Sequence, residues 1–154
     1  MKSIVPTCRS VRGTNLVHPL TIVLLACLSN SASAQNLECP DSVPEASIKL
    51  ENTPAGWTPF VARPLYLHAA APIDGPPQRR GELANYTEQK EKGETSYTYR
   101  FEGHYPDGKW LQCAYGEYGQ ITLSKRIDDH IRECKFTYRS GQKAGQRIIK
   151  IRCA

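Results

Sequence analysis

The final stretch of the chain, residues 134–153, constrains the fold more than any other. Cys134, Phe136 and Tyr138 alternate with Lys135, Thr137 and Arg139; further on, Ile149, Ile151 and Cys153 alternate with Ile148, Lys150 and Arg152. Alternation at period two is the mark of a strand with one buried face. A hairpin turning near Lys143-Ala144 sets Cys134 opposite Cys153, Phe136 opposite Ile151 and Tyr138 opposite Ile149. All three pairs then lie on one face and the basic residues on the other. A slip of one residue would invert every side chain, so the register is strongly specified. Gly141 and Gly145 supply the turn.

That hairpin selects a disulfide, Cys134–Cys153. The choice matters because the leader changes how the six cysteines are counted. Residues 1–34 carry Lys2, Arg9 and Arg12 without an acidic residue. An apolar run follows from Leu20 to Leu28, and then Ala32-Ser33-Ala34. A basic start, a short apolar centre and an A-x-A exit form a secretory signal, with cleavage after Ala34. The alternative, a lipoprotein anchored through Cys27 in Leu24-Leu25-Ala26-Cys27, fits the pattern less well. Cleavage removes Cys8 and Cys27. It leaves Cys39, Cys113, Cys134 and Cys153 in a single domain, residues 35–154. Four cysteines in an exported chain imply two disulfides with three connectivities. The hairpin leaves Cys39–Cys113 as the second. The leader also inflates the net charge. The whole chain has 20 basic and 15 acidic side chains; losing three bases leaves 17 against 15, or +2. Such a balance does not point to nucleic acid, whose binders carry a strongly basic domain or stripe.

The rest of the domain reads as β structure. Eight of the eleven prolines fall in residues 35–77, which excludes a long helix there and leaves short extended pieces at 47–51, 57–62 and 65–71. Asp74-Gly75-Pro76-Pro77 is a turn, prolonged by Gln78-Arg79-Arg80-Gly81. Residues 84–94 are polar, a loop or an exposed strand extension. Tyr97, Tyr99 and Phe101 alternate with Thr98, Arg100 and Glu102 as a half-buried strand. A turn at 103–108, a strand at 109–115, a Gly-containing loop at 116–119 and a returning strand at 120–124 make a hairpin. Residues 124–133 admit a short helix or a strand, turn and strand; the turn is preferred because Asp128-Asp129 interrupts the pattern. The expected fold is all-β and mainly antiparallel, a small sandwich or open barrel.

Chemistry-bearing residues are sparse. There is no Gly-rich phosphate loop and no G-x-S-x-G elbow. His68, His104 and His130 are far apart, and each is read as a surface or turn histidine. Adjacent Asp128 and Asp129 read as a solvated turn. No cysteine pair has zinc-site spacing, and neither a metal nor another cofactor is expected. Trp110-Leu111-Gln112-Cys113-Ala114-Tyr115 reads as a core strand beside a disulfide. The candidate partner-binding residues are Asp74, Arg79, Arg80, Tyr86, Tyr105 and Tyr118, polar and aromatic side chains expected in loops.

Cys39-Pro40, Gly56-Trp57, Asp74-Gly75-Pro76-Pro77 with Leu83, Trp110-Leu111-Gln112-Cys113-Ala114-Tyr115, and Cys134 followed by Tyr138 together resemble a family of small uncharacterised exported proteins of Gram-negative bacteria. The resemblance spans most of residues 35–154. It implies a periplasmic location and, because some relatives accompany type VI secretion loci, a protective or immunity role. The expected function is therefore a small periplasmic binding protein, an inhibitor or immunity protein that blocks a toxin or cell-wall hydrolase. An envelope structural or accessory component ranks second. A small hydrolase ranks last, because no base and nucleophile are paired in the sequence.

Overall fold

The computed structural model describes residues 37–154. The expected signal peptide, its expected cleavage site after Ala34, and Cys8 and Cys27 lie outside the described residues. Among the described residues, eight antiparallel strands form two four-stranded sheets. The first sheet has the order β1-β2-β5-β6, from β1 (Ser42–Val43), β2 (Leu65–Asp74), β5 (Lys109–Tyr115) and β6 (Ile121–Ile127). The second has the order β3-β4-β7-β8, from β3 (Tyr86–Glu91), β4 (Glu94–Arg100), β7 (Glu133–Ser140) and β8 (Arg147–Cys153). Three hairpins, β3–β4, β5–β6 and β7–β8, supply most of the pairing, and the chain crosses between sheets after β2, β4 and β6.

Two sheets with no ladder between them pack on one core, so the fold is a sandwich rather than a barrel. Alternation along β5 turns Leu111, Cys113 and Tyr115 inward. From the other sheet come Tyr99, Cys134 and Phe136, with Phe101 just past β4. The β7–β8 register is the expected one, with Cys134 opposite Cys153, Phe136 opposite Ile151 and Tyr138 opposite Ile149. Both expected disulfides are present, Cys134–Cys153 and Cys39–Cys113. The second ties the N-terminal segment to β5, and Leu37, Cys39 and Val43 join the core.

Residues 124–133 contain no helix: β6 runs to Ile127, and the backbone turns through Asp128–His130 before β7. The Asp128 carboxylate accepts the His130 N–H at 2.8 Å, as a turn aspartate does. Lys109, at the start of β5, is buried. Its ammonium donates to the carbonyls of Asp129 and Ile131 and lies 4.9 Å from the Phe101 ring centroid. Burial lowers its pKa, with Arg132 adding to the effect. Residues 84–94 resolve as the exposed strand extension, since β3 and the start of β4 form a hairpin. Residues 47–51 and 57–62, expected as extended pieces, form no strand. A 3-10 turn at Glu45–Ser47 and a turn at 54–57 interrupt the irregular path from β1 to β2. Prolines at 44, 54, 59 and 64 withhold the N–H groups that a ladder would need.

Candidate partner-binding surface

β1 is two residues long and pairs only with Leu65 and Tyr66. From Leu67 onward that edge of β2 has no partner strand. The exposed backbone is satisfied in other ways. Leu67 N–H donates to the Asp41 carbonyl at 2.9 Å. At Ala70 the N–H donates to the Tyr138 hydroxyl at 3.1 Å, and that hydroxyl donates back to the Ala70 carbonyl. One phenol thus takes both backbone groups of a buried β2 residue and links the two sheets.

Beyond this latch, a groove of about 690 Å³ opens along the inner face of β3, β4 and β7. Tyr86, Tyr97, Tyr99 and Tyr138 line it, with Lys90, Arg139 and Arg147 at its margins. The rings pack edge to face: Tyr86 on Tyr97 at 5.3 Å, and Tyr97 on Tyr138 at 5.4 Å. Burial pushes the Tyr99 phenol up to about 12 and raises those of Tyr97 and Tyr138. At neutral pH these are neutral hydroxyls, suited to hydrogen bonding and stacking rather than nucleophilic attack. Arg139 pairs with Glu94, and Lys90 with Glu88 at 3.1 Å.

The residues singled out from the sequence separate in space. Asp74, Arg79, Arg80 and Tyr105 come together at one end of the sandwich. Arg79 forms an ion pair with Asp107, and Gly75 N–H donates to the Gly108 carbonyl at 2.9 Å. The returning chain passes so close to Asp74 that a Cβ on Gly81 would lie 2.3 Å from its carbonyl oxygen. Tyr105 is half-buried against Phe101, with ring centroids 6.1 Å apart. Tyr118 projects from the β5–β6 turn at the opposite end, 84% exposed. Tyr86 is not in a loop. It opens β3, directly across from Tyr99, because the polar run 86–91 is long enough to pair with β4.

Sequence reasoning passed over two features. Of the groove tyrosines, Tyr97, Tyr99 and Tyr138 sit on strands and read as half-buried strand residues, and only Tyr86 was singled out. Trp57 and Phe60 lie in the proline-rich stretch and stand 75% and 86% exposed. The signal for them was the absence of strand alternation around two large aromatic side chains.

The histidines do not converge. His68 Nδ1 lies 2.8 Å from the Gly145 carbonyl, and His104 and His130 are exposed in separate turns. Among the described residues, no group of three His, Cys, Asp or Glu side chains is placed to hold a metal. No helix among them is long and apolar enough to cross a membrane.

No curated protein and no solved structure matches the chain. A family model does, over residues 62–154, which covers β2 to β8, every strand described but β1. The sandwich, its terminal hairpin and the surface just described all fall within or beside that span, and on this match the chain belongs to the type VI secretion system Tli immunity protein family.

Proposed function

We propose that the chain acts in the periplasm, that residues 1–34 are removed on export, and that residues 35–154 neutralise a type VI toxin by binding it, without turnover of their own. Membership in an immunity family carries the toxin-binding part of this reading. Two disulfides support the location, because such bonds persist in oxidising compartments. A disulfide-braced sandwich also loses little entropy on docking, as tight inhibition requires. Arg80, exposed at one end with Asp74 and Tyr105 beside it, provides positive charge that steers an acidic toxin, next to Arg79, which is exposed but paired with Asp107. Tyr86 and Tyr118 are further contact candidates.

Protection of living cells tests the reading. Cells directing a type VI toxin to their own periplasm should survive when they express the full chain. They should die when they express a chain lacking residues 2–34. Equal protection by the leaderless chain would refute the periplasmic site. Protection without a complex in solution would refute neutralisation by binding.

A further inference from the structure

Val43 and Leu65 are ladder partners, so residues 44–64 form an excursion that returns to its starting point, with Ile48 packed back against the core. β1 runs antiparallel to β2, which places this excursion at the end of the sandwich where β2 begins. The β5–β6 turn with Tyr118 lies there too. Gly116 N–H donates to the Tyr66 carbonyl at 2.9 Å, and Arg63 and Pro64 share a depression with Gly116 and Glu117. Among the described residues, Phe60, Tyr118 and Trp57 are the large apolar side chains left most exposed; Trp57 and Phe60 belong to the excursion and Tyr118 to the turn beside its return.

The display of Trp57 is built into the backbone. Trp57 N–H donates to the Pro54 carbonyl at 3.1 Å, closing the turn Pro54-Ala55-Gly56-Trp57. Gly56 holds φ +81 at its third position, the conformation that a type II turn demands there. Pro54 and Pro59 stiffen the chain on either side of Trp57. Each large aromatic side chain can bury roughly 150–250 Å². Leaving two of them in water three residues apart on one segment forgoes folding free energy, and exposed apolar side chains grouped in this way are what an interaction site presents. An exposed, proline-stiffened element that carries Trp and Phe suits an apolar cleft and loses little entropy when it binds. The segment carries two acids, Glu45 and Glu51, and two bases, Lys49 and Arg63. That balance fits a protein cleft rather than an anionic lipid surface, which selects clusters of Lys and Arg.

The family match begins at Ala62, so nearly all of this excursion lies N-terminal to the shared scaffold. We infer that residues 44–61 form the anchor that sets toxin specificity, with Trp57 and Phe60 inserted into an apolar cleft of the cognate toxin. This inference rests on the reading that the chain neutralises a toxin by binding it.

The test uses the oxidised chain and each type VI effector of the source genome, purified, with binding followed by calorimetry. The wild-type chain should bind one effector. The W57A/F60A variant should lose at least about 30-fold in affinity, the scale of a two-residue hot spot, with an unchanged melting curve. In a W110F chain, emission from Trp57 should shift to the blue on adding that effector. If the wild-type chain binds an effector and W57A/F60A binds it equally, the anchor is refuted while toxin binding stands. If the wild-type chain binds no effector, both fall. A wild-type dimer dissolved by W57A/F60A, or co-sedimentation with phosphatidylglycerol vesicles, would assign the aromatic pair to a different occupant and overturn the inference.

Discussion

Replacing Tyr138 by Phe removes one oxygen atom and keeps the ring that packs on Tyr97. That oxygen is the partner of both the N–H and the carbonyl of Ala70, which is 2% exposed. A buried polar group left without a partner costs about 1–3 kcal/mol, and two are orphaned here. The adjoining groove is open, so water can reach part of the vacated position, and the lower end of the range applies to each group. The expected loss is about 2 kcal/mol. With a urea slope of about 1–3 kcal/mol per molar for a domain of this size, the unfolding midpoint should fall by about 1 M. Tyr115→Phe is the matched control. Its hydroxyl is buried too, but finds no partner among the described residues. Removing it should leave the midpoint unchanged or raise it slightly, since no hydrogen bond is lost and a polar atom leaves the core. Both midpoints are read from equilibrium urea curves of the oxidised chain. Equal shifts for the two variants would refute the claim that the Tyr138 hydroxyl latches the sheets.

The disulfides should differ in worth. Cys39–Cys113 joins residues 74 apart and Cys134–Cys153 residues 19 apart. The chain-entropy relation assigns about 4.5 and about 3.3 kcal/mol to such loops. Paired Cys→Ala variants should therefore rank in that order in urea, and the reverse ranking would show that loop closure does not set the worth of these bonds. Stability should also fall in alkali. Tyr99 and Tyr115 ionise near 12 in the fold because burial disfavours phenolate, against 10.0 in the unfolded chain. Between these values the unfolded state holds fewer protons, so each tyrosine withdraws up to about 2.7 kcal/mol as pH rises through the window. Lys109, with a lowered folded pKa, works in the opposite direction and offsets part of that loss. Melting temperatures from pH 9 upward, followed with tyrosinate absorbance, check the sign. Arg79→Glu with Arg80→Glu should slow toxin association by about tenfold at low salt and leave dissociation unchanged. Stopped-flow rates that do not change with the charge reversal would show that this end does not steer the toxin.

Period-two patterning, turn residues and cysteine parity are local signals, and they carried most of the fold. The β7–β8 register and both disulfides were legible because one buried face and one hairpin leave a single consistent pairing. The β5–β6 hairpin was legible from Gly116 and Gly119 between alternating runs. The ambiguity at 124–133 was resolved in favour of a turn, as Asp128-Asp129 suggested. The functional surface was less visible. Arg79, Arg80 and Tyr105 do share one end, but Tyr118 and Tyr86 lie elsewhere, because a residue's place on the surface depends on which strands pair and where the chain crosses between sheets.

The amino-acid sequence by itself determined β2 and β4 to β8, the terminal register and the cysteine pairing, since each follows from alternation and spacing along the chain; β1 was not legible, and the pieces expected at 47–51 and 57–62 are not strands. Tertiary structure alone decided that β1 is too short to cover β2, which leaves Ala70 to be satisfied by the hydroxyl of Tyr138 from the other sheet. It also decided which aromatic residues are core and which are surface. Phe136 and Tyr115 are sealed between the sheets, whereas Trp57 and Phe60 stand in water on a proline-stiffened excursion. Composition cannot separate these cases, because burial is a property of what packs against a side chain and not of the side chain itself.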